Sequence, residues 1–151
     1  PSFVGRRQQH KSFAARTALD FDPVAPHECA GHVLLQNDRF HLRFVCTLDE
    51  AGQRLVRATK CFNGNESVLG QVVVGPGRLY LKVEARGQDY GFYVATEPEA
   101  WRPVAERVDG RLLSTPVAGG FTGAYIGVYA SSNGEPSTNV ADFDWFEYLG
   151  Q

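Results

Sequence analysis

The chain has 151 residues, with 15 Lys and Arg against 17 Asp and Glu and a formal net charge of −2. The basic residues are scattered among carboxylates, so there is no electrostatic footprint for nucleic acid or an anionic membrane, and no apolar run approaches the ~18 residues of a membrane span. A chain of this length buries roughly 70% of the surface its unfolded form exposes, enough for one domain that needs neither disulfide nor metal to be stable.

Arg6, Arg7, Gln8 and Gln9 stand where a signal peptide would hold its apolar core. From there the sequence has strand character almost throughout. Period-two alternation predicts strands over 3–10, 12–21, 29–36 and 39–47, then over 54–60, 70–74, 78–86, 90–95 and 101–108. Within 12–21, Phe13, Ala15, Thr17, Leu19 and Phe21 fall on one face. The separators are turn residues: Asp22-Pro23, Gln36-Asn37-Asp38, Ala51-Gly52, Asn63-Gly64-Asn65, Gly75-Pro76-Gly77, Arg86-Gly87-Gln88 and Asp109-Gly110. Near the C-terminus, Ala124, Ile126, Val128 and Ala130 alternate with Tyr125, Gly127 and Tyr129. The stretch 131–138, with Asn133, Gly134 and Pro136, reads as a loop. A last strand then sets Ala141, Phe143 and Trp145 on one face and Asp142 and Asp144 on the other. No segment sustains a 3.6-residue period for the length a helix needs. Many short strands at this spacing predict a single all-β domain over 1–151, an antiparallel β-sandwich or barrel.

Cys29, Cys46 and Cys61 are an odd set with no CxxC or Cys/His zinc spacing, and Cys46 follows the apolar side of Phe40, Leu42 and Phe44 as a small core residue. Such thiols permit a reducing, cytoplasmic setting.

Sugar recognition needs flat aromatic faces flanked by amides and charges that hydrogen-bond hydroxyls. If Leu79, Leu81 and Val83 are core, their strand shows Tyr80, Lys82 and Glu84 outward, and the neighbouring strand offers Tyr90 or Tyr93. Tyr125 and Tyr129 share one face of their strand, and Arg7 and Gln9 share one face of the first. The ordinary alternative for any one of these tyrosines is half-buried packing with a wet hydroxyl. Trp101 and Trp145 read as core residues instead of platforms.

Five blocks occur in fixed order: PSFVGRRQQH, AGHVLLQNDRFHLRF, VEARGQDYGFYV, VDGRLLSTPVAGGFTGAYIGVYASSNG and ADFDWFEY. Together they resemble, along nearly the whole chain, the C-terminal concanavalin A-like domain of family 43 glycoside hydrolases, chiefly β-xylosidases. The resemblance implies a jelly-roll sandwich of concanavalin A type. Domains of this kind carry a further N-terminal segment and a five-bladed catalytic propeller before them, and neither stands in these residues. The implied role is therefore a non-catalytic accessory domain of a β-xylosidase or arabinofuranosidase, with that propeller and xylan or xylo-oligosaccharides as partners. In similar β-xylosidases a loop of the sandwich sends a Phe into the propeller's pocket. The matching residue is Phe121, in a glycine-rich loop where a bulky apolar side chain has few neighbours of its own.

Two alternatives accompany that reading. One is a stand-alone carbohydrate-binding module. The other is a hydrolase using Asp142, Asp144 and Glu147, a spacing that partly matches the Glu-x-Asp-x-x-Glu strand of another concanavalin A-like hydrolase family. Glu147 joins the Asp142 and Asp144 face only if a bulge shifts the register. No catalytic residue is carried over from family 43, whose acids belong to the propeller. No cofactor is expected beyond the structural calcium that many such sandwiches hold. Asp142 and Asp144 are hard oxygen donors for it, without the ligand-dense spacing of a recognisable calcium loop.

Overall fold

Strand β2 (Ser12–Asp20) shows how the sequence builds the interior: Phe13, Ala15, Thr17 and Leu19 are buried, while Ser12, Ala14, Arg16 and Asp20 between them are half-buried. The computed structural model describes residues 2–7, 12–113, 125–132 and 141–150. Along these run β1 (Ser2–Arg7), β2, β3 (Cys29–Asn37), β4 (Phe40–Leu48), β5 (Arg54–Phe62) and β6 (Asn65–Val73). They are followed by β7 (Leu79–Arg86), β8 (Asp89–Ala95), β9 (Arg102–Asp109), β10 (Tyr125–Ser131) and β11 (Asp142–Gly150). The single helical element among the described residues is a 3-10 turn, Gly110–Leu113.

The strands form a six-stranded sheet in the order β1-β10-β3-β4-β5-β6 and a five-stranded sheet in the order β11-β2-β7-β8-β9. Every neighbouring pair is antiparallel. Strands β3 to β6 form one meander and β7 to β9 another, as short turns between alternating segments require. Between the sheets lies one core. Phe13 stacks on Tyr148 at 5.2 Å, and Phe44 meets Phe92 edge-on at 5.3 Å. Burying such an aromatic contributes about 1.5–3 kcal/mol. At one edge the sheets come close through Gly70, where a Cβ would lie 2.1 Å from the Val104 carbonyl oxygen. Only glycine lets β6 approach β9 that closely.

The all-β antiparallel sandwich expected from the sequence is the fold observed. Cys46 is a fully buried core residue, and Cys29 and Cys61 are also buried free thiols. Burial raises the Cys46 thiol to about 11, so it behaves as an inert apolar filler.

Two local expectations change. Strand β6 starts at Asn65, ahead of the expected 70, because its first residues, Asn65 to Val68, are exposed on an edge strand and carry no apolar alternation. On β11 the alternation breaks: Phe143 pairs with Leu19 and Trp145 with the adjacent Ala18, leaving Asp144 as an extra residue in a bulge. Phe143 and Phe146 both pack on the core, so the expected shared face of Ala141, Phe143 and Trp145 does not continue through the strand. The side chain of Trp145 lies outside the described residues.

Candidate functional site on the outer face of the five-stranded sheet

On β7 the buried positions are Leu79, Leu81, Val83 and Ala85, which turns Tyr80, Lys82, Glu84 and Arg86 outward. On β8 the buried positions are Tyr90, Phe92 and Val94, which turns Tyr93 outward. The pairing register places Lys82 opposite Tyr93 and Glu84 opposite Gly91. Farther along the same row, Arg16 lies opposite Lys82 and Glu147 opposite Arg16. Thus Tyr80, Lys82, Glu84 and Tyr93 are brought to one face, where the row runs across four strands. Directly opposed side chains are close enough to interact, and here they do.

Tyr90 is the correction. It is 2% exposed and meets Phe13 edge-on at 6.0 Å, inside the sandwich. The cause is parity: Tyr93 lies three positions after Tyr90, an odd offset on an alternating strand, so one faces the core when the other faces solvent. Trp101 is also not a core residue. It is half-buried on the outer side, its ring centroid 4.6 Å from Lys82 Nζ. The same ammonium stands 5.0 Å from the Tyr93 ring and 3.1 Å from Glu84 Oε1. Two ring faces therefore hold the protein's own cation, an arrangement worth about 0.5–1 kcal/mol per contact at exposed sites.

Charged groups tie the rest of the face together. Arg16 Nε donates to Glu147 Oε1 at 2.8 Å, with Nη2 on the same oxygen, and its Nη1 donates to Glu99 Oε1 at 3.0 Å. Trp101 Nε1 donates to the other Glu99 oxygen at 3.3 Å. The hydrogen bonds donated to Glu147 chiefly, and the charges of Glu147 and Glu99, hold the Arg16 guanidinium above its usual value. Tyr93 Oη donates to Glu106 Oε2 at 2.9 Å. Burial first, and that bond second, push the Tyr93 phenol up to about 12. The face offers oriented carboxylates, guanidinium groups and tyrosine edges, so it suits hydroxyl recognition by hydrogen bonding more than by flat stacking.

Beside this row opens a cleft of about 340 Å³ lined by Glu84, Arg86, Asp89, Tyr93, Glu106 and Arg107, among others.

The remaining candidates lie elsewhere. Tyr125 is 39% exposed, and with Ile126 beside it in the core it faces outward from the six-stranded sheet. Tyr129 shares that face, and the backbone register places Arg7 opposite Tyr125. These residues and the Tyr80 to Tyr93 group are on opposite sides of the sandwich and make no common site. The side chain of Arg7, and Gln9 and Phe121 altogether, lie outside the described residues.

The acidic triplet of β11 resolves through its bulge. The shift does carry Glu147 to the outer side, as its pairing with Arg16 shows. Asp144, however, accepts from Arg78 Nη1 at 2.8 Å, and that arginine also binds Asp20 at 2.7 Å. Asp144 and Glu147 are thus engaged by two different arginines.

Arg16 was legible as an outward position between Phe13, Ala15 and Thr17 but was not singled out. Glu99, Glu106 and Arg107 had no sequence signal, because irregular backbone places them: Glu99 at φ 66° before β9, and Arg107 at φ 56° within it.

Two antiparallel sheets packed face to face in this order define a concanavalin A-like β-sandwich. The family described as "Beta xylosidase C-terminal Concanavalin A-like domain" matches residues 1–149. The chain belongs to that family. It is 35% identical over 146 residues to a "Xylosidase/arabinosidase" of Butyrivibrio fibrisolvens, covering 97% of this chain and 28% of the relative. It is likewise 35% identical over 150 residues to the "Non-reducing end alpha-L-arabinofuranosidase BoGH43B" of Bacteroides ovatus, covering 98% of this chain and 28% of that protein. The crystal structure of the GH43 protein BlXynB from Bacillus licheniformis superposes with a TM-score of 0.93 at 29% identity, over 99% of this chain and 30% of that one. The chain therefore spans under a third of the length of the relatives it matches.

Proposed function

We propose that this chain is the non-catalytic accessory domain of a family 43 β-xylosidase or arabinofuranosidase, that it closes the pocket of the catalytic propeller through Phe121, and that an exposed sheet face binds xylan or xylo-oligosaccharides. The observation that carries the reading is the family match over residues 1–149, joined to the 28% share of relatives whose names state xylosidase and arabinofuranosidase activity. A domain that forms the same fraction of several such enzymes contributes to their work without supplying their whole chemistry. The outer-face network supports the sugar-binding part, since its groups complement hydroxyls.

The test of pocket closure is Phe121→Ala in the propeller-bearing enzyme. An aromatic wall whose burial is worth about 1.5–3 kcal/mol is removed, so kcat/KM falls roughly 10- to 100-fold while the isolated domain melts as before. Unchanged kinetics with a large drop in melting temperature would mean that Phe121 is a core residue, whose truncation costs about 3–5 kcal/mol of stability.

A further inference from the structure

We infer that the cleft between the β7–β8 hairpin and the bulge of β9 is the sugar site, a pocket for one or two neutral glycosyl units of a xylo-oligosaccharide. The inference rests on the sugar-binding part of the proposed function and assigns it a place.

The backbone makes the cleft. Phe92 pairs with Ala105 and Tyr90 with Val108, so two residues of β9, Glu106 and Arg107, oppose the single Gly91 of β8. Such a bulge re-aims side chains, and here it adds a second residue opposite the floor that Gly91 provides. A larger residue at Gly91 would push the Tyr93 ring aside: a Cβ there would lie 2.6 Å from Tyr93 Oη and 2.9 Å from its ring. The tyrosine ring lies across the glycine and forms one wall. Arg107 holds φ 56°, a left-handed conformation that costs a non-glycine residue about 1–2 kcal/mol. Glycine would serve the bulge better, so the arginine side chain is kept at the expense of backbone strain. Strain of this kind gathers at ligand sites.

The donors and acceptors fit a polyol. Two acceptors are oriented in advance, Glu84 by Lys82 at 3.1 Å and Glu106 by the Tyr93 hydroxyl at 2.9 Å. Arg86 and Arg107 line the cleft, and their guanidinium groups have no hydrogen bond or ion pair to another described residue. Fixed carboxylates beside guanidinium groups that no described residue engages match vicinal hydroxyls, each of which donates and accepts. The lining carries carboxylates on Glu84, Asp89 and Glu106 against guanidinium groups on Arg86 and Arg107, a slightly negative balance that disfavours phosphate, sulfate or uronate. A volume of about 340 Å³ is at the small end of ligand pockets, which suits a short glycan.

Calorimetric and NMR titration of the 151-residue chain with xylotetraose tests the assignment, using Arg107→Gly, Glu106→Gln and, on the opposite sheet, Tyr125→Ala. Wild type binds at millimolar sugar, with little response to salt because the ligand is neutral. Each cleft variant weakens binding roughly tenfold or more, the loss expected from a charge-assisted hydrogen bond. Arg107→Gly does so while its melting temperature stays level or rises, since glycine accepts the positive φ; a merely structural arginine would not separate the two readouts. Tyr125→Ala leaves affinity unchanged. Binding that survives both cleft variants overturns the cleft while leaving sugar recognition in place. No binding by wild type at millimolar sugar overturns sugar recognition itself, and the Phe121 kinetics then stand as a separate measure of pocket closure.

Discussion

His32 carries the clearest consequence of burial at a single residue. It is fully buried on the inner face of β3, opposite Phe44 in the register and edge-on to Phe146 at 5.8 Å. Neither ring nitrogen has a hydrogen-bond partner among the described residues. Burial alone lowers its imidazole from 6.5 to about 3. Between those values the unfolded chain binds a proton that the folded chain refuses, so stability falls as pH is lowered below 6.5, by up to about 1.4 kcal/mol per pH unit. At pH 4.5 the loss approaches about 2–3 kcal/mol, a large part of the 5–15 kcal/mol typical of a domain. Urea unfolding at pH 7 and pH 4.5 checks this against His32→Leu, which has nothing to protonate. The variant should lose about 2 kcal/mol less than wild type over that interval; equal losses would show that the imidazole finds a proton acceptor or water when folded.

Among the elements, the bulge of β11 reconciles a sequence that does not alternate with a sheet that must. With Asp144 set aside, Asp142 and Phe143 continue into Trp145 and Phe146 with outer and inner positions in step. Deleting Asp144 should therefore be tolerated. It removes an exposed ion pair to Arg78, and such pairs contribute little, so the melting temperature should move by no more than about 3 °C. Deleting Glu147 should be severe, because it carries Tyr148 out of its stack on Phe13 and reverses the rest of the strand. A fall of about 6–12 °C or failure to fold is expected. Equal tolerance of both deletions in thermal melts would place the bulge elsewhere. The contrast also explains what was readable beforehand. Strands whose apolar residues alternate strictly, such as β2 and β7, announce both their limits and their faces. Tyr80, Lys82, Glu84 and Tyr93 followed from that parity, and the same count would have sent Tyr90 inward. Strand β6 was shortened because half of it lies exposed at an edge. Glu106 and Arg107 share a cleft only through a bulge that no residue type marks, and Trp101 was misread because a large aromatic is more often core than a wall beside a lysine.

At the scale of the molecule, the question is whether the sandwich does chemistry alone. A glycosidase needs two carboxyl groups either ~5 or ~6.5–9.5 Å apart, one of them in surroundings that keep it protonated until it meets the leaving oxygen. The acids that the sequence offered for this are on the outer side of β11. Asp144 faces Arg78 at 2.8 Å and is exposed, and Glu147 is held by Arg16. Each has a guanidinium where a proton-donating carboxyl needs apolar walls, and each is spent on holding β11 or its neighbours in place. The carboxylates of the cleft, Glu84 and Glu106, are likewise engaged, by Lys82 and Tyr93. Such groups can grip a sugar's hydroxyls without breaking its glycosidic bond. The isolated chain should accordingly show no turnover of aryl xylosides or aryl arabinofuranosides, even where xylotetraose titrations detect binding. A measurable rate that disappears on Asp144→Asn would overturn this, since an exposed ion-pair partner has no reason to control catalysis. A rate unaffected by Asp142→Asn, Asp144→Asn and Glu147→Gln alike would instead point away from this strand, because no other acid of β11 remains to carry the reaction.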